Sequence, residues 1–438
     1  MEEKAVEIIL KVCVVGAGAA GLCAARHLAA DSKHFEFVVF ERQGEVGGTW
    51  TYNDRIGLDE DGLPVHSSMY RDLRTNLPKE IMGFPDYPDI KGGAGSCVSH
   101  RVILDYLKSY ATHFQLRQYI QFQTVVESIK LKDPSSEKWQ VRVRNVGNER
   151  TDTLVFDAVI ICNGHYSDPR IPRIRGLGDF KGLTMHSHDY RYPEFFAGKR
   201  VVVLGAASSG IDIATELSRS ASHVHLSHDN DRLAGKGESL GFEEVVGIDG
   251  FADDKFILKD GTSVAGVDAL ILCTGYNFTY PFLDASCGVK IDDNYVSPLY
   301  KHLVNVEHTS MCLVGLPMTV VPFPMFHMQV RYFISTLRDK SRLPAVGVML
   351  EDSRLKASEK RHAHKLGNAQ WAYNDSLARE SGVEPLPGYY ELGYAAWWNL
   401  RKAHLMDYKS FDLFVSADGA RVGIVVPRRD EKKQSMTP

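Results

Sequence analysis

The 438-residue chain lacks several features that would assign its class at once. It has no run of about 18 apolar residues, so no membrane-spanning helix is expected. Its formal net charge is only −4, which gives no indication of a nucleic-acid partner. It has seven cysteines, and no two of them have Cys-x-x-Cys spacing, so neither a metal site nor a dithiol redox centre is expected.

The spacing of the glycines is the most informative feature of the sequence. The segment Gly16-Ala17-Gly18-Ala19-Ala20-Gly21 follows the apolar run 11–15, so a buried strand is predicted to turn into a helix there. The helix N-terminus leaves unpaired backbone N–H groups that suit a pyrophosphate. The next predicted strand ends at Glu41, 20 residues after Gly21. An acid there accepts hydrogen bonds from the ribose of an adenosine without a 2′-phosphate.

A second fingerprint begins at Gly205, after the apolar run 200–204, with Ala207 in place of the middle glycine. The strand that follows it is predicted to end at Ser227-His228. That strand end has no acid, although Asp229 is close by. Together with Arg232, this pattern suits a 2′-phosphate and predicts an NADPH site. Two dinucleotide sites in one chain indicate electron transfer between them.

The length of the chain predicts two or three domains. A strand–helix–strand unit over 11–41 opens a doubly wound α/β domain. The stretch 43–99 is rich in Gly, Pro, Tyr and Asp and is too long for a simple connector, so it is expected to wrap a ligand. Three β segments are predicted between 119 and 161, and the region 323–425 is expected to be mostly helical, with its aromatic residues in packing roles.

A family resemblance rests on the segment Phe180–Tyr190, which fits F-x-G-x-x-x-H-x-x-x-Y. This pattern is the identifying sequence of the flavin-containing monooxygenases. Further segments also resemble that family: Gly44–Trp50, Thr75–Glu80, Cys273–Tyr276 and Gly315–Gln329. The resemblance covers nearly the whole chain. The short length and polar C-terminus resemble the insect members, some of which N-oxygenate dietary pyrrolizidine alkaloids.

The resemblance implies a glutathione-reductase-like fold with two Rossmann-like domains. Residues 1–178 and 279–438 are expected to form a discontinuous FAD-binding domain, and residues 179–278 an inserted NADPH-binding domain. His186 is expected to be structural, because in the family its motif links the two domains. Asn76 is predicted to be catalytic, because the matching family residue lies near the flavin and the retained nicotinamide.

The resemblance also implies a set of cofactor-binding residues. Those expected to bind FAD are Gly16, Gly18, Ala19, Gly21, Glu41, Arg42, Gly48, Thr49, Trp50, Asn76, Val126 and Gln329. Those expected to bind NADPH are Gly205, Ser208, Ser209, Gly210, Ser227, His228, Arg232 and Thr274.

The implied reaction begins with reduction of FAD by NADPH. Molecular oxygen then gives a flavin hydroperoxide, which oxygenates a soft nucleophile such as a tertiary amine or a sulfide. N-oxygenation of an alkaloid is the specific expectation. The expected partners are therefore a small-molecule substrate and oxygen, and self-association into a homo-oligomer is left open. The chain is expected to be soluble and cytoplasmic, or secreted if a signal peptide has been removed.

Two alternatives stay open at this point. Baeyer–Villiger monooxygenases resemble the identifying motif but carry Trp where this chain has Tyr190. An uncoupled NADPH oxidase or a redox-sensing flavoprotein would keep both nucleotide sites without oxygenating a substrate.

Overall fold

A computed structural model describes residues 9–133, 137–233, 241–354, 360–405 and 407–426. Its strands are β1 (Leu10–Val15), β2 (Phe35–Phe40), β3 (Ile120–Gln121), β4 (Thr124–Leu131), β5 (Trp139–Asn145), β6 (Thr151–Phe156), β7 (Ala158–Ile161), β8 (Leu183–His186), β9 (Arg200–Leu204), β10 (His223–His228), β11 (Glu243–Val246), β12 (Ile248–Ala252), β13 (Lys255–Leu258), β14 (Ser263–Ala265), β15 (Ala269–Leu272), β16 (Lys290–Asp292), β17 (Tyr295–Ser297), β18 (Leu299–Tyr300), β19 (Val304–Asn305), β20 (Met311–Leu313), β21 (Asp412–Val415) and β22 (Val422–Val425). Its α-helices are α1 (Ala19–Ala29), α2 (His100–His113), α3 (Ser208–Leu217), α4 (Pro322–Arg338), α5 (Val346–Ser353), α6 (Gln370–Ser381) and α7 (Tyr389–Ala403).

The larger sheet has the strand order β18-β19-β20-β7-β1-β2-β3, and its five strands from β20 to β3 are parallel. Successive residues of β1 belong to different hydrophobic clusters. Val12 and Val14 pack on the side of α1 and α4, whereas Cys13 and Val15 pack with the antiparallel sheet β4-β5-β6. Both faces of the sheet are therefore covered, which explains why β1 is an apolar run without alternation.

The second sheet repeats this plan with the order β11-β10-β9-β15-β8, all parallel. Val201 and Val203 of β9 pack with α3, while Val202 packs with the antiparallel sheet β12-β13-β14. The predicted α/β class with two Rossmann-like units is confirmed. All five strands of this sheet lie between residues 183 and 272, whereas the larger sheet takes strands from both sides of that interval. The exact domain boundaries stay predictions.

The C-terminal region contains helices α4 to α7 and also a hairpin, β21-β22, beside the expected helices. The aromatic residues Tyr390, Tyr394 and Trp397 of α7 are buried in one hydrophobic cluster with Tyr408 and Leu413. Their predicted packing role therefore fits the structure. In the part of the chain that is described, no helix has the length and apolar character needed to cross a membrane.

Helix α3 is fastened to the rest of the molecule by two carboxylates one turn apart. Asp212 accepts a hydrogen bond from Tyr70 at 3.1 Å and pairs with Lys409 at 2.5 Å. Glu216 accepts a hydrogen bond from Tyr190 at 2.9 Å. Burial raises the pKa of Glu216 to about 7, although the Tyr190 hydroxyl opposes this shift. These contacts hold the second sheet against the segment around residue 70.

We expect the free energy of unfolding of Glu216→Gln to exceed that of wild type by an amount that grows as the pH rises. The pKa of Glu216 is higher in the folded state than its ordinary value of 4.5. Between that value and about pH 7 the carboxyl ionises more readily in the unfolded state, so wild-type stability falls as the pH rises through this window and stays lower above it. The gap in free energy of unfolding should widen by roughly 1–3 kcal/mol between pH 5 and pH 8. Denaturant titrations at both pH values measure it, with the exposed Glu391→Gln as control. A pH-independent gap would contradict the expectation.

Candidate active site

The first fingerprint makes a turn that only glycine permits. Gly16 has a φ of +95°, and a Cβ on it would lie 2.7 Å from the Cys162 carbonyl oxygen. A Cβ on Gly21 would lie 1.8 Å from the Gly16 carbonyl oxygen. The first turn of α1 is thus pressed directly against the end of β1. This arrangement points the free N–H groups of the helix N-terminus at whatever binds in front of it.

The second fingerprint repeats this turn almost atom for atom. Gly205 has a φ of +108°, and its Cβ would lie 2.5 Å from the Cys273 carbonyl oxygen. A Cβ on Gly210 would lie 1.7 Å from the Gly205 carbonyl oxygen. Ala207 occupies the N-cap of α3 with a φ of −79°, a conformation that any residue adopts. The alanine therefore causes no backbone strain.

A second loop explains why the first site keeps its middle glycine. The Gly47 N–H donates to the Ala17 carbonyl at 3.1 Å, which ties the loop to the fingerprint. A Cβ on Gly48 would lie 2.9 Å from the Gly18 Cα, so the two backbones face each other without side chains between them. The Thr49 Oγ1 is buried and has no hydrogen-bond partner among the described residues. This bare backbone cradle with an unused hydroxyl fits a dinucleotide such as FAD.

Glu41 lies at the end of β2 and is only 4% exposed. Its carboxylate accepts the Ala17 N–H at 2.6 Å and the Gln43 N–H at 2.8 Å. Burial raises the pKa of Glu41, and the two backbone N–H groups oppose that shift. The carboxylate therefore braces the fingerprint loop from the side on which an adenosine ribose would bind.

The other predicted FAD residues lie around this unit. Trp50 stacks edge-on against Phe323 with ring centroids 6.4 Å apart. The Arg42 guanidinium donates to the Pro64 carbonyl at 2.6 Å. Val126 is buried in β4, next to a register shift in the β4–β5 pair. Gln329 is fully buried, accepts the Gly315 N–H at 2.9 Å and donates to the Tyr373 hydroxyl at 2.7 Å. Its side chain therefore holds the backbone at Gly315 in place.

Asn76 is half-buried and contacts two aromatic side chains of the C-terminal region. Its backbone carbonyl accepts the Trp397 Nε1–H at 2.9 Å, and its Oδ1 accepts the Tyr408 hydroxyl at 3.3 Å. The Nδ2 amine has no partner within the described part of the chain and is free to donate. The amide is thereby held in one orientation by its oxygen side.

A short series of contacts links Asn76 to the second fingerprint. The Arg401 guanidinium lies 5.5 Å from the Tyr408 ring centroid and donates to the Ser208 Oγ at 3.0 Å. Ser208 begins α3, so a cation from the C-terminal region stands at the helix N-terminus. Asn76 and the predicted NADPH turn are therefore linked through two side chains of the C-terminal region, Tyr408 and Arg401.

The predicted residues at the end of β10 have partners of their own. The Ser227 hydroxyl is fully buried and donates to the Val246 carbonyl at 2.9 Å. The His228 Nε2 lies 3.0 Å from the Glu244 carboxylate, and both side chains are nearly inaccessible. The sequence showed no acid at this strand end, but the neighbouring parallel strand β11 supplies one. A residue that approaches from a neighbouring strand cannot be found from a motif that spans only one strand and its loop.

The remaining predicted NADPH residues lie at the rim of this unit. Ser209 and Arg232 are exposed. Thr274 donates its hydroxyl hydrogen to the Arg170 carbonyl at 2.5 Å.

His186, which is expected to be structural, uses both of its ring nitrogens. Its Nδ1 accepts the His188 N–H, and its Nε2 lies 3.0 Å from the Gly275 carbonyl. Burial lowers the pKa of His186 to about 4, and this neutral, fully bonded ring suits the structural role expected of it.

One unexpected cluster joins α1 and α4. The ligand atoms of Cys23, His27 and His327 lie within 4.8 Å of one another. The two histidines already bond to each other at 3.2 Å, and the Arg331 guanidinium lies 3.3 Å from the second His327 nitrogen. Burial holds the pKa of both histidines low. With ring nitrogens paired and an arginine this close, the cluster is an unfavourable place for a cation.

Comparison with known proteins matches this geometry to one family. The model of the flavin-binding monooxygenase-like family matches residues 9–234 and 244–382, which include both glycine turns, Asn76 and most of the C-terminal helices. The chain belongs to the flavin-containing monooxygenases. Members of this family use FAD and NADPH to transfer one oxygen atom to nitrogen or sulfur, and the monooxygenase described here does so too.

Individual relatives resemble the monooxygenase over nearly its full length. Flavin-containing monooxygenase FMO GS-OX-like 4 of Arabidopsis thaliana is 34% identical over 422 residues, which cover 91% of this chain and 93% of the relative. The structure of S-allyl-L-cysteine S-oxygenase from Allium sativum is 33% identical with a TM-score of 0.84, covering 92% of this chain and 95% of that one. Tmm from Pelagibacter sp. strain HTCC7211 is 29% identical with a TM-score of 0.82, covering 97% and 99%.

The sequence alone did not indicate that side chains of the C-terminal region contact Asn76 and Ser208. Trp397 belongs to the aromatic group that we interpreted as packing, and Arg401 and Tyr408 stand in no motif. Only contacts across more than 190 residues of sequence bring them to Ser208 and Asn76. The clustering of aromatic residues with arginine and lysine over 389–409 is the one signal that could have pointed to them.

We expect Glu41→Ala to weaken FAD retention by about 1.5–3 kcal/mol, because charge-assisted hydrogen bonds are lost. The variant also releases the Ala17 N–H, so the fingerprint loop loses its brace. Reconstitution of the apoprotein with FAD, followed by flavin fluorescence, measures the change. Glu45→Ala is the matched control, since Glu45 lies on the same loop but pairs with Lys108 and Arg117. Wild-type affinity in Glu41→Ala would disprove this role.

Proposed function

We propose that the monooxygenase oxygenates the sulfur of a small thioether, with a tertiary amine nitrogen as the second substrate class. One observation carries this proposal: a series of contacts through Tyr408 and Arg401 links the neutral amide of Asn76 to Ser208 in the second glycine turn. Thioether oxygenation is favoured because the name of the Allium relative specifies S-oxygenation of S-allyl-L-cysteine. The amine alternative, including alkaloid N-oxygenation, rests on the sequence resemblance to insect members.

In this proposal FAD binds at the first fingerprint. The N-terminus of α1 receives its pyrophosphate, Glu41 its adenosine ribose, and the loop Gly48–Trp50 its far end. Bound FAD, reduced by NADPH, supplies the activation of molecular oxygen. The protein would contribute position, and the buried cluster around Trp397 and Tyr408 would give the Asn76 amide an apolar support.

NADPH binds at the second fingerprint, with its pyrophosphate at the N-terminus of α3. Arg401 is already in place there and adds positive charge to that of the helix terminus. Because Arg401 also stacks on Tyr408, which donates to Asn76, the residue that would contact the coenzyme is in contact with the residue that orients the Asn76 amide. The coenzyme would thus bind close to the Asn76 amide.

Asn76 is suited to this position by its chemistry. An amide offers donors and an acceptor, and it stays neutral at every physiological pH. Its oxygen accepts from Tyr408, which leaves the Nδ2–H groups of the amide to donate to a molecule that would bind beside them. We assign it the role of a hydrogen-bond donor that holds activated oxygen until the substrate arrives.

The substrate assignment is tested by turnover with a thioether, a pyrrolizidine alkaloid and a cyclic ketone. We expect S-oxide from S-allyl-L-cysteine, with one NADPH and one O₂ consumed for each product formed. Product mass and NADPH consumption, measured together, give the result. N-oxide alone would favour the amine class, and a lactone from the ketone would favour a Baeyer–Villiger enzyme. NADPH consumption without product in all three arms would support the uncoupled oxidase.

The role of Asn76 is tested by Asn76→Ala. Flavin reduction by NADPH should stay within about threefold of wild type, because it depends on the two nucleotide turns. Product yield should fall about 100-fold, the typical effect of losing one donor at a preorganised site, with electrons released as hydrogen peroxide. Stopped-flow reduction and product assays measure the two steps, with exposed Asn148→Ala as control. If both steps fell together, or neither fell, Asn76 would be only a turn residue.

A further inference from the structure

Two histidines and a glutamate face one another at the amino-terminal end of the second parallel sheet. His223 and His225 are two residues apart on β10, so their side chains lie on the same face of the sheet. Glu243 begins β11 and is the register partner of His225. The three side chains offer ligand atoms that all lie within 4.8 Å of one another. Two neighbouring strands thus bring three metal-binding side chains to one point.

The distances within this group suit a zinc ion. The Glu243 Oε2 lies 3.1 Å from the His223 Nε2 and 3.3 Å from the His225 Nδ1. A tetrahedral zinc with bonds of about 2.0–2.1 Å keeps its ligand atoms about 3.3 Å apart. Two of the three separations therefore already match. The third, between the two rings, is at most 4.8 Å and can close by movement of the His223 side chain, which is 42% exposed.

His225 distinguishes this group from ordinary surface charges. Its side chain is only 7% exposed, yet neither ring nitrogen has a hydrogen-bond partner among the described residues. Buried polar groups of this kind normally have a partner, because burial without one costs free energy. Burial also lowers the pKa of His225 to about 4, so its ring is neutral at physiological pH, as a metal ligand must be.

The charges around the group permit a divalent cation. Arg200 is the register partner of His223 on β9 and works against a cation. It acts on His225 more weakly than Glu243 does, and it is exposed, so water and salt screen its charge. The Asp268 carboxylate accepts the Arg200 N–H at 2.7 Å and adds a second negative charge at this end of the sheet.

We propose that His223, His225 and Glu243 form a zinc site that ties the edge strand β11 to β10. Two imidazole nitrogens and one carboxylate oxygen suit zinc, whereas Mg²⁺ and Ca²⁺ prefer oxygen ligands alone. The exposed side of the group leaves the fourth position of the metal to water. β11 is the outermost strand of this sheet and has only four residues, so a metal would strengthen its attachment. The absence of Cys-x-x-Cys spacing has no bearing on this site, because no cysteine takes part in it.

The first experiment measures zinc binding by calorimetry. It uses ZnCl₂ and the FAD-loaded protein, purified without a histidine tag and treated with EDTA. We expect one zinc per chain with a Kd below about 10 µM, and no binding of Mg²⁺ at the same concentration. His223→Asn and Glu243→Gln should each weaken zinc binding at least about tenfold, because each removes one ligand. His404→Asn is the matched control, since His404 also lies beside a carboxylate, Asp407 at 3.4 Å, and it should bind zinc like wild type.

His225→Asn is the third variant, and it should weaken zinc binding at least as much. Because this ring is buried, its variant is first checked for folding by circular dichroism, and the two exposed variants keep the test decisive if it folds poorly. Absent or only millimolar zinc binding in the wild-type protein would overturn the proposal. Tight binding that survives in every variant would also overturn it, because the ion would then lie elsewhere, such as between α1 and α4.

The second experiment concerns the attachment of β11. Saturating zinc should raise the Tm of the wild-type protein by about 2–5 °C and leave that of Glu243→Gln unchanged. Amide hydrogen exchange over 244–246 should slow when zinc binds. Unchanged exchange in the zinc-bound protein would overturn the role of the metal in holding this strand. Neither measurement needs NADPH or an oxygenated substrate, so its outcome is independent of the proposed function.

Discussion

The structure depends on one close contact, made twice, between the first turn of a helix and the end of the strand that precedes it. At Gly21 and at Gly210 there is no room for even one carbon atom between helix and strand. Each helix must therefore start immediately where its strand ends, and its axis must point at the crevice in front of the sheet. The same constraint occurs twice in one chain, in two parallel sheets of similar build, each with a helix on one face and a three-stranded antiparallel sheet on the other.

The two sites differ in what stands in front of them. The first faces the loop at Gly48, whose backbone closes over Gly18. The second faces α7 and the segment after it, which bring Arg401 to Ser208 and Tyr408 to Asn76. A backbone loop packed against the first turn suits a resident cofactor, and an arginine side chain at the second turn suits the phosphates of a coenzyme. This asymmetry supports the assignment of FAD to the first turn and NADPH to the second.

The sequence alone predicted the fold class and both turns, because each depends on local patterns: an apolar run, spaced glycines and a strand that follows. It also predicted Glu41, whose position is fixed by the length of one strand–helix–strand unit. Glu244 could not be found in this way, since it reaches the end of β10 from a neighbouring strand. Arg401 was missed for the same reason. The resemblance to insect members suggested an alkaloid substrate, whereas the relatives described above are from plants and a bacterium, so substrate choice depends on side chains that no motif marks.

Helix α3 is held by separate partners at its two ends. Arg401 touches only its first residue, whereas Tyr70, Tyr190 and Lys409 bind the carboxylates further along. If the coenzyme binds at this N-terminus, as we propose, its phosphate would compete for Arg401 and leave the contacts of Asp212 and Glu216 in place. The anchoring of α3 and its ligand contact would then be served by different side chains.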